Sequence, residues 1–98
     1  MASVTLVYWR DIPAQVMQGK GRGATRVSLS ERFEQAIDRA AMKAGLSGTD
    51  DYLSQWRRES LDAPDAASLA AQIETEYDSQ RIRALIDNAG FRPADEDD

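Results

Sequence analysis

Ninety-eight residues with 42% hydrophobic side chains suit one compact domain with a single core and leave no room for a deep cleft between two domains. A formal net charge of -5 and a pI near 4.6 favour solubility and disfavour generic attraction to nucleic acid or anionic lipid, both of which reward excess Lys and Arg. The absence of cysteine and histidine removes disulfides, thiolate nucleophiles, cysteine-held zinc or clusters, the usual general base near neutral pH and the commonest metal ligand, so no cofactor and no metal site is expected.

The first predicted element is a strand over Ser3 to Trp9, where Val4, Leu6 and Tyr8 alternate with Thr5, Val7 and Trp9 and the β-branched and aromatic content is high. A second strand fits Ala24 to Leu29, with Val27 and Leu29 on one face and Arg26 and Ser28 on the other. The fourteen residues Arg10 to Gly23 lie between them, long for a hairpin connection in so small a domain, and long loops are commonly functional or disordered. Pro13 fixes its own φ and biases Ile12 away from the helical region, which predicts an ordered first half of this loop, with Ile12, Val16 and Met17 turned back onto the core.

Ser30 is read as the cap of a helix from Glu31 to about Ala44, with Phe33, Ile37, Ala40, Ala41 and Ala44 at helical spacing and Gly45 as its stop. Thr49 caps a shorter predicted helix through Arg58, in which Tyr52, Leu53 and Trp56 share a face. After the break at Asp62-Ala-Pro-Asp65, a third helix is predicted from Ala66 to Asn88, ending at Gly90, with a bend near Asp78-Ser79-Gln80 where its apolar stripe drifts. The expected architecture is α+β, a two-stranded antiparallel ribbon on three helices in the order ββααα, with Phe33, Ile37, Trp56 and the third helix closing one core. Residues 1–90 form the domain in this reading, and 91–98 form an acidic disordered tail.

Candidate contact residues cluster early in the chain. Trp9, Arg10, Asp11, Ile12, Pro13 and Gln15 form the candidate partner-binding edge, because Trp and Arg are enriched at interface hot spots; Trp9 capping the core and Arg10 paired with Asp11 is the structural alternative. Gly19-Lys-Gly-Arg-Gly23 joins glycines, whose amides can converge on an anion, with Lys20 and Arg22, and Arg26 follows on the second strand; the same run is also a plain flexible hairpin tip. Met1 to Lys43 holds seven basic and four acidic residues against five and thirteen in the remainder, so a basic surface near this loop survives the acidic average. Glu74, Glu76 and Asp78 alternate onto different helix faces, and Glu31, Glu34 and Asp38 are interleaved by Arg32 and Arg39, which argues against a magnesium or calcium site. No segment approaches the roughly 20 apolar residues of a membrane span, and the start lacks a basic stretch before an apolar run, so the cytoplasm is the simplest location.

Ala24 to Ser60, taken alone, has the order strand, helix, turn, helix, and so resembles ribbon-helix-helix DNA-binding domains. In that family the strand pairs across a dimer and Arg26 would face the major groove. The negative charge, the Asp50-Asp51 pair and the presence of an intrachain partner strand count against it.

The runs Val7-Tyr-Trp-Arg-Asp-Ile-Pro-Ala-Gln-Val16, Leu29-Ser-Glu-Arg-Phe-Glu-Gln-Ala-Ile-Asp38 and Tyr52-Leu-Ser-Gln-Trp56 resemble the small bacterial family called conserved virulence factor domain, over about Val4 to Ile86. The family name defines no biochemical activity, and the resemblance supplies no catalytic residues. It implies a context: stand-alone members encoded in α-proteobacteria beside methyltetrahydrofolate- and corrinoid-dependent methyl-transfer proteins. The resulting expectation is a non-catalytic accessory protein that contacts a protein partner, such as a methyltransferase or corrinoid protein, or its anionic cofactor. A ribbon-helix-helix-like dimeric DNA binder and a subunit completing a partner enzyme's site through Tyr8, Arg10 and Asp11 are the alternatives.

Overall fold

A computed structural model describes residues 2–19 and 23–92. Lys20, Arg22 and the acidic run from Asp95 to Asp98 lie outside the described residues.

The chain is α+β, with the order β1 (Ala2–Trp9), β2 (Ile12–Gln18), β3 (Thr25–Ser28), α1 (Glu31–Lys43), α2 (Asp50–Ser54), β4 (Trp56–Ala63), α3 (Ala66–Glu76) and α4 (Ser79–Asp87). The expected two-stranded ribbon on three helices is thus a four-stranded antiparallel sheet with four helices. Its strand order is β3-β2-β1-β4, with β1 at the centre against β2 and β4.

Three corrections to the sequence reading share one cause, which is pairing to β1. Half of the expected Arg10–Gly23 loop is β2, joined to β1 by a two-residue turn at Arg10-Asp11. Pro13 is accommodated within β2 because the register skips Ala14 there: Val7 pairs with Gln15 and Tyr8 with Pro13, and a bulge is where a residue without an N–H does least damage to a ladder. The predicted helix over Thr49 to Arg58 stops at Ser54, and Trp56–Ala63 is an edge strand paired with β1 along its whole length, from Trp9 opposite Trp56 to Ala2 opposite Ala63. Trp56, expected in the core, is 38% exposed. Because the second helix ends at Ser54 and a strand follows from Trp56, and because β3 pairs with β2 of the same chain, the ribbon-helix-helix arrangement is not formed.

The helices follow the expected logic more closely. Phe33, Ala36, Ile37, Ala40 and Ala41 make the buried stripe of α1, and Gly45 beyond it adopts φ +74, as a helix-terminating residue does. Thr49 caps α2 by accepting from the Tyr52 amide. The long third helix is divided: α3 ends at Glu76, and Asp78 begins α4 afresh by accepting from the Arg81 amide, as Asp65 does for α3 from Ser68. Val4, Leu6 and Val16 from the sheet, Phe33 and Ile37 from α1, Ile73 from α3, and Ile82 and Leu85 from α4 form one core.

Ser30 sits at the N-cap of α1 without capping it by its own side chain. Its amide and hydroxyl instead donate to Glu74 of α3, at 2.5 and 2.8 Å. Arg32 completes this tie, donating to Glu74 Oε1 at 3.2 Å, to the Glu74 carbonyl at 2.6 Å and to the Tyr77 carbonyl. One arginine of α1 therefore satisfies carbonyls left open at the end of α3. Desolvation acts to raise the Glu74 pKa, but the bonds from Ser30 and Arg32 outweigh it and hold the carboxyl below its usual value of 4.5. A lowered carboxyl pKa stabilises the fold fully above the unfolded value, and the contribution is lost as pH falls through the folded one. Urea unfolding across the acid range should therefore show a shallower loss of stability below about pH 4.5 for Glu74→Gln than for the parent, with the two curves approaching one another at the acid end.

Candidate functional site

The Trp9-Arg10-Asp11 segment lies at the tip of the β1-β2 hairpin, and its three side chains all reach the same two stretches of chain, residues 52–57 and 89–92. Trp9 is fully enclosed; its indole N–H donates to the Tyr52 carbonyl at 2.9 Å, and its ring lies 5.5 Å from that of Tyr52. Gly90 presses against the same indole: a Cβ there would stand 2.8 Å from Cζ3 of Trp9, and Gly90 has φ +94. Arg10 adopts φ +54, a conformation that costs an L-residue about 1–2 kcal/mol and that nearby contacts must offset. Its amide donates to the Gln55 carbonyl at 3.1 Å, its Nε to the Gln55 side chain at 3.1 Å, and its Nη1 to the Ala89 carbonyl at 2.8 Å. The guanidinium also lies over Phe91, 4.3 Å from the ring centroid, and 5.2 Å from that of Trp9. Phe91 and Arg92, assigned to the tail by the sequence reading, are thus part of this corner.

Asp11 closes it. Its amide donates to the Gly90 carbonyl at 2.8 Å, its Oδ2 accepts from the Arg92 amide at 2.7 Å, and its Oδ1 accepts from Arg57 at 3.1 Å. Arg57 of β4 in turn donates to the Arg10 carbonyl at 2.9 Å, pairs with Glu59 at 2.7 Å and lies over the Tyr8 ring at 4.2 Å. The hairpin tip is therefore bolted to the start of β4 on one side and to the segment after α4 on the other.

Placing the candidate residues in this frame separates them. Trp9, Ile12 and Pro13 are buried, so their side chains are spent on the fold. Arg10 and Asp11 are half-buried and engaged as described. Gln15 is half-buried on β2, opposite Ser28 of β3, and Arg26 is exposed opposite Met17, so these two share the sheet face away from the core cluster. Gln55, Arg57, Gly90 and Phe91 were not singled out by sequence reasoning; only Gly90 carried a signal, as a helix stop.

Beside the corner lies a cavity of about 280 Å³ whose lining includes Tyr8, Arg57, Glu59, Tyr77, Arg81 and Arg92. Burial, then the neighbouring phenol of Tyr77 and the carboxylate of Glu59, push the Tyr8 hydroxyl up to about 12 against the opposing pull of Arg57, so it stays a neutral donor through the physiological range. Arg57 is committed to Asp11 and Glu59, and although desolvation alone would lower its pKa, those bonds raise it. Arg81 differs: its guanidinium lies over the Tyr77 ring at 4.0 Å and forms no ion pair with a carboxylate among the described residues. The arrangement offers a hydroxyl donor and an uncommitted guanidinium to an anionic group. No cluster of three or more metal-ligating side chains occurs among the described residues, and no helix there is long and apolar enough to cross a membrane.

A four-stranded α+β domain whose Trp-Arg-Asp turn is internal scaffolding, with a small polar cavity beside it, is the class of protein defined by this geometry. The chain belongs to the Virulence factor family, whose model matches residues 7–86. No curated protein and no solved structure matches the chain.

The corner makes two contrasts measurable. Gly90→Ala places a methyl group into Trp9 at a left-handed φ and should lower unfolding free energy by roughly 2 kcal/mol or more, whereas Gly23→Ala, with open space around it, should stay within about 0.5 kcal/mol. Arg10→Ala loses the charge-assisted bonds and keeps the strain, so it should cost about 2 kcal/mol; Arg10→Gly relieves the strain and should be about 1 kcal/mol less damaging than Arg10→Ala in the same urea titration.

Proposed function

We propose that this protein is a non-catalytic accessory module that docks onto a partner protein by receiving an anionic group in the cavity between Tyr8 and Arg81. One observation carries the reading: at the cavity, Arg57 is tied to Asp11 and Glu59, whereas Arg81 has no carboxylate partner and the Tyr8 hydroxyl has no hydrogen bond within the described chain. A half-buried guanidinium beside a neutral phenol suits a carboxylate or phosphate, and arginine reads such groups bidentately. Arg26, exposed on β3 at the far edge of the sheet from β4, adds positive charge to a different surface.

The resemblance implies methyl-transfer assemblies built on corrinoid or folate chemistry, so the partner is a methyltransferase or corrinoid protein, or the anionic cofactor it carries. The module contributes binding, since a chain without histidine or cysteine has neither the commonest general base nor the usual ligands for cobalt, zinc or a cluster.

The reading is tested by affinity capture from native lysate with tagged wild type and Arg81→Gln, a change at a side chain that the core does not use. Recovery of a corrinoid- or folate-dependent methyl-transfer protein by the wild type, reduced at least about tenfold for Arg81→Gln and weakened by added salt, is the expected result. Equal recovery by both proteins would remove the cavity from the interaction; recovery of DNA with no protein would overturn the accessory reading altogether.

A further inference from the structure

A second cavity, of about 470 Å³, opens where α1 faces the α2-β4 junction. Its distinguishing wall is aromatic. Tyr52 and Trp56 stand at 88° with ring centroids 6.2 Å apart, so that their planes form a corner. Trp56 is unusual here: it is a large aromatic side chain 38% exposed at the start of an edge strand, in a domain that buries its other tryptophan completely. Leu29 and Ile37 provide an apolar floor. Opposite the corner, Glu31, Glu34 and Asp38 project from successive turns of α1.

The charge in this cavity is one-sided. Among the described residues no lysine or arginine lines it, none of these three carboxylates forms an ion pair, and Glu31 accepts a hydrogen bond from Gln35 alone, at 3.4 Å. Arg32 and Arg39, which interleave with the carboxylates in sequence, line a different cavity beside α4. The negative field reaches the aromatic wall: burial first, then Asp38 and Glu34, push the Tyr52 phenol above its ordinary value. A negative field in front of exposed ring faces attracts an organic cation, because the ring quadrupole and the carboxylates act on it in the same sense.

Two chemistries meet that description and the carboxylates separate them. A quaternary ammonium has no N–H to donate and would leave the carboxylate oxygens without bonds, whereas a guanidinium is flat enough to lie on an indole and carries five N–H groups in a plane. We propose that the Tyr52-Trp56 corner, with Glu34 and Asp38 opposite it, is a binding site for the guanidinium of an arginine side chain presented by a partner protein. The inference is independent of the anion-receiving cavity on the Tyr8 side. A partner that offered an acidic group there and an arginine here would meet two complementary contacts.

The test uses the two tryptophan indole N–H resonances of the isotopically labelled full chain. Trp9 donates to the Tyr52 carbonyl inside the fold, so its resonance reports on folding while that of Trp56 reports on the site. The probe is N-acetyl-arginine amide, compared at low salt with its neutral citrulline analogue and with tetramethylammonium. A saturable shift of the Trp56 resonance with arginine, at a Kd on the order of millimolar, is expected, with citrulline and tetramethylammonium each at least about tenfold weaker. The Glu34→Gln, Asp38→Asn double variant, altered only at exposed positions, should lose about tenfold in affinity while the Trp9 resonance stays in place. Citrulline binding as tightly as arginine, tetramethylammonium binding more tightly, or no saturable shift with any probe would each overturn the proposal.

Discussion

The contact between the Trp9 indole and the bare backbone of Gly90 is the constraint on which the rest of the structure depends. It joins residue 9 to residue 90, near the two ends of the described chain, and it is possible only because no Cβ occupies the space 2.8 Å from Cζ3. Around it the hairpin tip is held by hydrogen bonds from both sides: Arg10 to Gln55 and Ala89, Asp11 to Gly90 and Arg92, and Arg57 back to the Arg10 carbonyl. A sheet whose central strand is β1 is thereby locked to the last helix at the end where β1 turns. The left-handed backbone at Arg10 is tolerated because several contacts over-determine it, and strain of this kind persists only under that condition.

This arrangement has consequences for what the surface can do. The residues that look most like recognition groups in the sequence are occupied internally, which leaves other side chains to line the cavities beside them. On one side the clasp consumes Arg57 and leaves Arg81 and the Tyr8 hydroxyl lining a cavity. On the other, Tyr52, which accepts the Trp9 indole N–H through its carbonyl, turns its ring toward Trp56 and the carboxylates of α1. Two cavities of different lining thus occur in one small domain, one that includes Arg57, Arg81 and Arg92 and one that includes Glu31, Glu34 and Asp38. In a chain of net charge -5 this segregation, rather than the average, decides which groups a partner meets.

Legibility in the sequence tracked how much each element buries of its own side chains. Strand β1, with its alternation, and helix α1, with Phe33, Ile37, Ala40 and Ala41 in register, were readable because their patterns are about burial. Strand β4 was not: Trp-Arg-Arg-Glu-Ser-Leu-Asp-Ala has almost no apolar face, and it is a strand because its backbone completes the β1 ladder. The β1-β2 turn was hidden for a related reason, since Arg-Asp is not a turn pair by propensity and becomes one through tertiary bonds made some 45 and 80 residues away. Membership of the family was legible in the Tyr-Trp-Arg-Asp-Ile-Pro-Ala-Gln run, while the role of that run was not, because burial of Trp9 and Pro13 depends on Gly90 and β4.

Native-state hydrogen exchange at the Asp11 amide, bonded to the Gly90 carbonyl, tests most directly whether the clasp is integral to the fold. If it is, Asp11 exchanges with the same free energy and the same denaturant dependence as the core amides of Val16 and Ile37, because all of them open only when the domain unfolds. Exchange of Asp11 at far lower free energy, with the core amides still protected, would show that the corner opens by itself and would contradict the account.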